Sequence, residues 1–212
     1  MPIYYRRCQN CQFLFTDAFD HWSLDQFKEY IYNGEYKLVD PDYETQRPQI
    51  NAEFISKFWG GIKADTRILD YGGGNGALCA KLRQSGFHTA VPYDPMVPEF
   101  STAPEGKYDL ITSFETLEHT PDPVTSIAGI VNFSAETGLV FFTTMVQPAD
   151  FDQHRLNWWY VGRRNGHISL FSRKALMLAW ERHGYKLASL NDNVHFAFRT
   201  LPPYLAHLQN NA

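Results

Sequence analysis

Apolar residues along this chain fall into short β-rich blocks separated by stretches with helical spacing. From Arg67 onward the two kinds alternate regularly. Residues 67–71 read as a buried strand, 89–93 as a second, 108–114 as a third and 139–144 as a fourth. Residues 77–85 read as a helix closed by Gly86. Pro123 opens another, in which Val124, Ile127, Ala128 and Val131 follow the i, i+3, i+4, i+7 spacing of a core-facing stripe. Ser172 is placed to cap a third helix that reaches His183, with Gly184 just past its end. Residues 185–190 and 194–200, joined by "NDN", read as a closing hairpin. The alternation predicts an α/β fold, doubly wound, with a mostly parallel sheet covered on both faces. The hairpin adds an antiparallel member at its edge or near it.

The N-terminal quarter has a different pattern. Residues 1–48 form an aromatic, turn-rich arm of short helices and loops, and 49–212 the main domain. A helix joins them, with Pro48 in its first turn, Ile50, Phe54, Ile55 and Phe58 on one face, and Gly60-Gly61 as its stop.

Composition narrows the class. A chain of 212 residues suits one sizeable core, and 44% hydrophobic with 20% charged residues is the balance of a soluble globular protein. A net charge of −4 without a long basic run argues against nucleic acid as a partner; Arg6-Arg7 and Arg163-Arg164 are only local pairs. No apolar run approaches the roughly 20 residues that span a bilayer, so no membrane is expected. Three cysteines, an odd number, argue against a disulfide framework and fit a reducing cytoplasm.

The chemistry starts at "ILDYGGGNG", residues 68–76, where four glycines follow the first strand. Gly72-x-Gly74-x-x-Ala77 satisfies the pattern of a dinucleotide turn, and no Lys-Ser/Thr pair follows to make a P-loop. Asp70 separates the remaining ligands. A pyrophosphate at the following helix N-terminus would be repelled by it, whereas the ammonium and sulfonium of S-adenosylmethionine (SAM) are attracted. At about 4 Å the difference in sign is worth roughly 4 kcal/mol either way at an effective dielectric near 20. Asp94 ends the next strand, 22 residues after Gly72, where an acid can accept both ribose hydroxyls. It can also serve only as the turn residue before Pro95.

"ILDYGGGNG", "VPYDP" and "YDLITSFETLEHTPDP", in this order, resemble a class I SAM-dependent methyltransferase with its Rossmann-like fold. The resemblance covers roughly residues 50–185 and is nearest to the group that includes ubiquinone-type O-methyltransferases and zinc-carrying sugar C-methyltransferases. It implies that Asp70, Gly72, Gly73 and Gly74 line the methionine end of SAM, that Asp94 holds the ribose, and that Phe114 and Glu115 floor the sulfonium. It also implies a small-molecule acceptor, with the acceptor atom (O, N or C) and the oligomeric state left open. One departure stands out. Only "PMVPEFSTAPEGK" separates Asp94 from Tyr108, so the strand that family members carry here is shortened or missing. Met96 or Val97 is left to cover the adenine.

Candidate reactive groups lie in three places. Glu115-x-x-Glu118-His119 has spacing that suits a divalent cation, and the resemblance to ubiquinone-type enzymes implies one. The residues by themselves favour Glu115 facing SAM while Glu118 and His119 cap backbone. "DFDQHRLNWWYVGRRNGHISLFS" is expected to form a substrate lid, with His154, His167 and Tyr160 as candidate bases beside Trp158 and Trp159. The bland alternative is that His167 bonds a loop and a tryptophan seals the core. The arm offers Tyr30, Tyr32, Tyr36, Tyr43 and Arg47 to close over the site. Cys8-x-x-Cys11 is half a zinc knuckle, two ligands where a tetrahedral site needs four, so bound zinc is not the expectation. His21 is the nearest further ligand, and Cys79 reads as core. The leading function is methyl transfer; a non-catalytic SAM-binding or zinc-ribbon module is the alternative. An NAD-dependent oxidoreductase stands behind both, disfavoured by Asp70 and by the lack of a substrate domain.

Overall fold

The computed structural model describes residues 3–42, 45–162, 165–202 and 205. In chain order the elements are β1 (Arg6–Arg7), β2 (Leu14–Phe15), α1 (Leu24–Tyr30), α2 (Tyr36–Val39) and α3 (Gln46–Phe58), followed by β3 (Ile68–Tyr71), α4 (Ala77–Gln84), β4 (Val91–Tyr93) and β5 (Tyr108–Phe114). Then come α5 (Pro123–Phe133), β6 (Ser134–Thr143), α6 (Phe151–His154), β7 (Ser169–Leu170), α7 (Arg173–Glu181), β8 (Lys186–Ser189) and β9 (Val194–Phe198).

The main sheet has six strands in the order β4-β3-β5-β6-β9-β8. The first three pairings are parallel, and β9 runs antiparallel to both β6 and β8. The closing hairpin therefore inserts its second strand beside β6 and leaves its first at the edge. Asn191 makes that turn, its Oδ1 accepting from the amides of Asn193 and Val194. At the opposite edge the sheet ends on β4. The segment after Asp94 contributes only a single helical turn, Pro98–Phe100, whose last carbonyl accepts from the Asp94 amide at 3.0 Å. The shortened chain length and its prolines thus remove a strand, as expected.

Strand alternation sorts the core into two layers. Leu69, Ile111, Val140 and Phe142 face Ile127 and Ile130 of α5 and Leu176 and Trp180 of α7. Ile68, Leu110, Leu139 and Phe141 face Ala52 and Ile55 of α3 and Leu78, Cys79 and Leu82 of α4. Strands buried on both faces need near-continuous apolar runs, which is why β3, β5 and β6 were legible.

Helix starts follow local chemistry. Asp122 accepts from the Thr125 amide at the head of α5, and Ser172 from the Ala175 amide at the head of α7. Two helix faces differ from expectation. In α3 the buried positions are Pro48, Ala52 and Ile55, with Trp59 just beyond, while Ile50 is 60% exposed. In α5 they are Pro123, Ile127 and Ile130, and Ala128 is exposed. Both shifts have one cause: the sheet contacts a narrow stripe, and apolar residues flanking it stay at the surface. A second, three-stranded antiparallel sheet, β1-β2-β7, ties the N-terminal arm to the segment before α7. Among the described residues no helix is long and apolar enough to cross a membrane.

Candidate active site

β3 delivers Asp70, 4% exposed, to the carboxyl end of the sheet. Its partner across the strand is Thr112 of β5, whose hydroxyl donates to Asp70 Oδ1 at 2.7 Å. The glycines then fold the backbone over this carboxylate. The amides of Gly72 and Gly73 both donate to the Tyr93 carbonyl. Gly72 has φ +76, and a Cβ there would lie 2.6 Å from Thr116 Oγ1; a Cβ on Gly73 would lie 2.8 Å from Asp70 Oδ2. Only hydrogen fits at both. The Gly74 amide donates to Asp94 Oδ2 at 3.0 Å and the Met96 amide to Oδ1 at 2.8 Å. Asp94 thus pins two loops and keeps lone pairs for a ligand. Burial pushes the Asp70 carboxyl up to about 7 despite the Thr112 hydrogen bond.

Asp70, Gly72, Gly73, Gly74 and Asp94 line a cavity of about 690 Å³. Met96, Val97 and Phe114 line it too. Its other walls come from the arm, chiefly Trp22, Phe27, Tyr32 and Tyr36, with Arg47 paired to Asp40 at 2.5 Å. The arm was expected to close over the site, and residues 150–172 to add a substrate lid. Among the described residues none of that segment lines the cavity.

A cluster of polar groups follows β5, of which Glu115 and His119 line the cavity. Glu115 sits at φ +49 and is clasped by Thr143: its amide donates to Thr143 Oγ1 at 3.0 Å, and that hydroxyl donates to Glu115 Oε1 at 2.8 Å. Burial pushes the Glu115 carboxyl up to about 7, with the charge of Glu118 adding to it. Glu118 is fully buried and accepts from the Tyr160 hydroxyl at 2.6 Å. The Tyr160 carbonyl in turn accepts from His167 Nδ1 at 2.7 Å. Burial holds the imidazoles of His119 and His167 down at about 4, so both are neutral at pH 7. One ligand atom from each of Glu118, His119 and His167 lies within 4.8 Å of the others. Glu118 and His119 were expected to cap backbone. They converge instead with His167, because the segment before β7 folds back on the turn after β5, the Ile168 amide donating to the Glu118 carbonyl.

Other candidates lie elsewhere. His154 is at the surface beside Asp150, outside the cavity lining. Trp158 is buried in a small cluster with Phe151 and Tyr160, and Trp159 is 72% exposed. Tyr30 is exposed and packs at a tilt against Trp22. Tyr43 and the Arg163-Arg164 pair lie outside the described residues. Arg6 and Arg7 are engaged by Asp17 and Asp152. Cys8 and Cys11 are free thiols in the turn between β1 and β2. The amides of Cys11 and Asn10 bond the Cys8 sulfur and lower its pKa. Among the described residues no third ligand joins this pair, and His21 is exposed. Cys79 is core, as read. The sequence reading missed Thr112, Thr116 and Thr143, since a threonine in or beside a strand looks like any other strand former.

Residues 43–190 match the family model of a methyltransferase domain. The ubiquinone biosynthesis O-methyltransferase of Aromatoleum aromaticum is 29% identical over 105 residues, 39% of this chain and 45% of that protein. The enzyme of that name from Alkalilimnicola ehrlichii is 23% identical over 199 residues, 76% and 80% of the two chains. The chain spans about half the length of the curated relatives it matches first. Among solved structures, magnesium protoporphyrin IX methyltransferase from Synechocystis with bound SAH (S-adenosylhomocysteine) superposes with a TM-score of 0.55 at 14% identity, covering 87% of this chain and 97% of that one. The plantazolicin methyltransferase BpumL in complex with SAH gives 0.58 at 10% identity, covering 84% and 98%. At these identities the structural likeness is one of fold.

Proposed function

The chain belongs to the methyltransferase-domain family that its residues 43–190 match, and on that footing we propose that it transfers a methyl group from SAM to a small-molecule acceptor. The observation that carries this reading is one cavity lined by Asp70, the glycine loop and Asp94 together with Glu115, His119, Tyr32 and Tyr36. SAM supplies a methyl group on an already electrophilic sulfur, so what the chain must provide is alignment and, for a protonated acceptor, a base. Asp70 is the partner for the ammonium, Asp94 accepts the ribose hydroxyls, and Met96 and Val97 cover the adenine where the missing strand leaves room. Glu115 lies beside the sulfonium. His119, neutral and facing the cavity, is the base closest to hand. A volume of about 690 Å³ must take cofactor and acceptor together, which supports an acceptor of modest size. Fold neighbours that hold SAH support the same cofactor. Residues 1–48 act as the cap over both. Calorimetric titration with SAM, SAH and NAD tests the reading: SAM and SAH bind and NAD does not. Binding of NAD without SAH refutes it. So does tight SAH binding with no label passing from methyl-labelled SAM to any of a panel of hydroxylated, amino and carbon-acid acceptors.

A further inference from the structure

The turn between β1 and β2 carries two reactive side chains that methyl transfer does not use. Cys8 and Cys11 are both free thiols, half-buried, with two residues between them. The Gln12 amide donates to the Cys8 carbonyl at 2.9 Å and the Cys8 amide to the Phe13 carbonyl at 2.8 Å, with Gln12 in the left-handed region at φ +63. A chain reversal closed this tightly keeps its first and fourth Cα atoms within about 7 Å, which is the reach of a disulfide. The side chains use that proximity: the Cys11 thiol is hydrogen-bonded to the Cys8 sulfur.

Three donors from the main domain hold the turn in this shape. Lys174 Nζ donates to the Asn10 carbonyl at 2.9 Å, Ser172 Oγ to the Cys11 carbonyl, and Gln147 Nε2 to the Gln12 carbonyl at 2.8 Å. Folding has thereby already met the entropy of bringing the two thiols together, which favours one internal disulfide over two mixed ones. The two sulfurs are not equivalent. Cys11 packs against the core layer of α5 and α7, whereas the Cys8 sulfur accepts from the amides of Asn10 and Cys11 and feels the Lys174 ammonium. Those contacts stabilise the Cys8 thiolate, the form that attacks a disulfide.

We propose that Cys8 and Cys11 are a redox-active dithiol, oxidised reversibly to an internal disulfide by a low-molecular-weight disulfide of the glutathione kind. The Cys8 thiolate attacks one sulfur of the oxidant, forming a mixed disulfide and expelling one glutathione thiolate. The Cys11 thiolate then attacks the Cys8 sulfur, the Cys8–Cys11 bond forms, and the second glutathione thiolate leaves. Two electrons pass from the pair to the oxidant, and the two thiol protons end on the two molecules of glutathione. A tetrahedral metal site needs four ligands, and among the described residues no third one joins this pair. The turn lies between the two strands that join the arm to β7, so the disulfide forms at the junction of arm and main domain. The pair stands independently of methyl transfer.

The test incubates the reduced full chain with excess glutathione disulfide, alkylates the remaining thiols in denaturant, and measures the intact mass. The chain loses two hydrogens, only Cys79 is alkylated, and no glutathione stays bound; dithiothreitol restores all three thiols. Cys11→Ser stops at the mixed disulfide on Cys8 and keeps one glutathione per chain. Cys8→Ser takes up glutathione at Cys11 at least about tenfold more slowly than Cys11→Ser does at Cys8. A wild-type chain that keeps three alkylatable thiols, one that carries glutathione without closing the disulfide, or equal uptake by the two variants overturns the proposal. So does stoichiometric zinc on the purified chain that shields both thiols until a chelator removes it, because the pair is then a metal site. Thermal unfolding checks that each variant folds, and the wild-type result decides the matter without them.

Discussion

Replacing Asp70 by asparagine keeps the shape of the side chain and removes its charge. In the folded chain this carboxyl titrates at about 7, raised by burial from an ordinary value near 4. A carboxyl whose pKa rises on folding binds its proton more tightly in the native state. Its contribution to stability is therefore greatest below about pH 4 and is lost as pH rises through about 7. At about 1.4 kcal/mol per pH unit, the ionised group costs the ligand-free fold up to about 4 kcal/mol at pH 8. Asp70→Asn escapes this cost. The variant should exceed the wild type at pH 8 by an appreciable part of that figure, and at pH 5 by a margin smaller by about 2–3 kcal/mol. Urea unfolding of both proteins at the two pH values measures the difference, and Glu115, which also titrates at about 7, cancels because both carry it. Affinity should move the opposite way. Losing a charged hydrogen-bond partner of the ammonium costs about 1.5–3 kcal/mol, roughly ten- to a hundredfold in SAM affinity. Wild-type affinity should also fall by about tenfold per pH unit below 7, while that of the variant stays flat. A variant less stable than the wild type at pH 8, or one that binds SAM equally well, would refute the reasoning.

Other perturbations probe the remaining parts. Gly72→Ala forces a Cβ to 2.6 Å from Thr116 Oγ1 at a left-handed backbone position, and should cost about 1–3 kcal/mol in urea unfolding together with most SAM binding. Asp94→Asn should weaken SAH and abolish the preference for SAH over its 2′,3′-dideoxy analogue in competition binding; an intact preference would place the ribose elsewhere. Leu110→Ala, at a fully buried position at the centre of the sheet, should cost about 2–5 kcal/mol by chemical denaturation and leave the cavity lining untouched.

What the sequence determined by itself was everything that depends on near neighbours. The apolar blocks at β3, β5 and β6, the caps at Asp122 and Ser172, and the glycine turn all follow from backbone geometry over a few residues. Asp70 and Asp94 were legible for the same reason: each closes a strand, and strand ends in such sheets face the ligand. Even the lost strand could be read, since thirteen residues with three prolines cannot make a crossover and a strand. What only the tertiary structure decided depends on which distant segments pack together. Both the arm and residues 150–172 were expected over the site, and only the packing decided between them: β1 and β2 pair with β7, and of the described residues of these two segments the cavity is lined by those of the arm. Ile50, Phe54, Ile55 and Phe58 share an apolar face of α3, yet the packing buried Ile55 together with Ala52 and left Ile50 exposed. Glu118, His119 and His167 show the same limit most plainly. No periodicity links residue 119 to residue 167; their meeting is fixed by one long return of the chain, the carbonyl and hydroxyl of Tyr160, and a glycine small enough to let them touch.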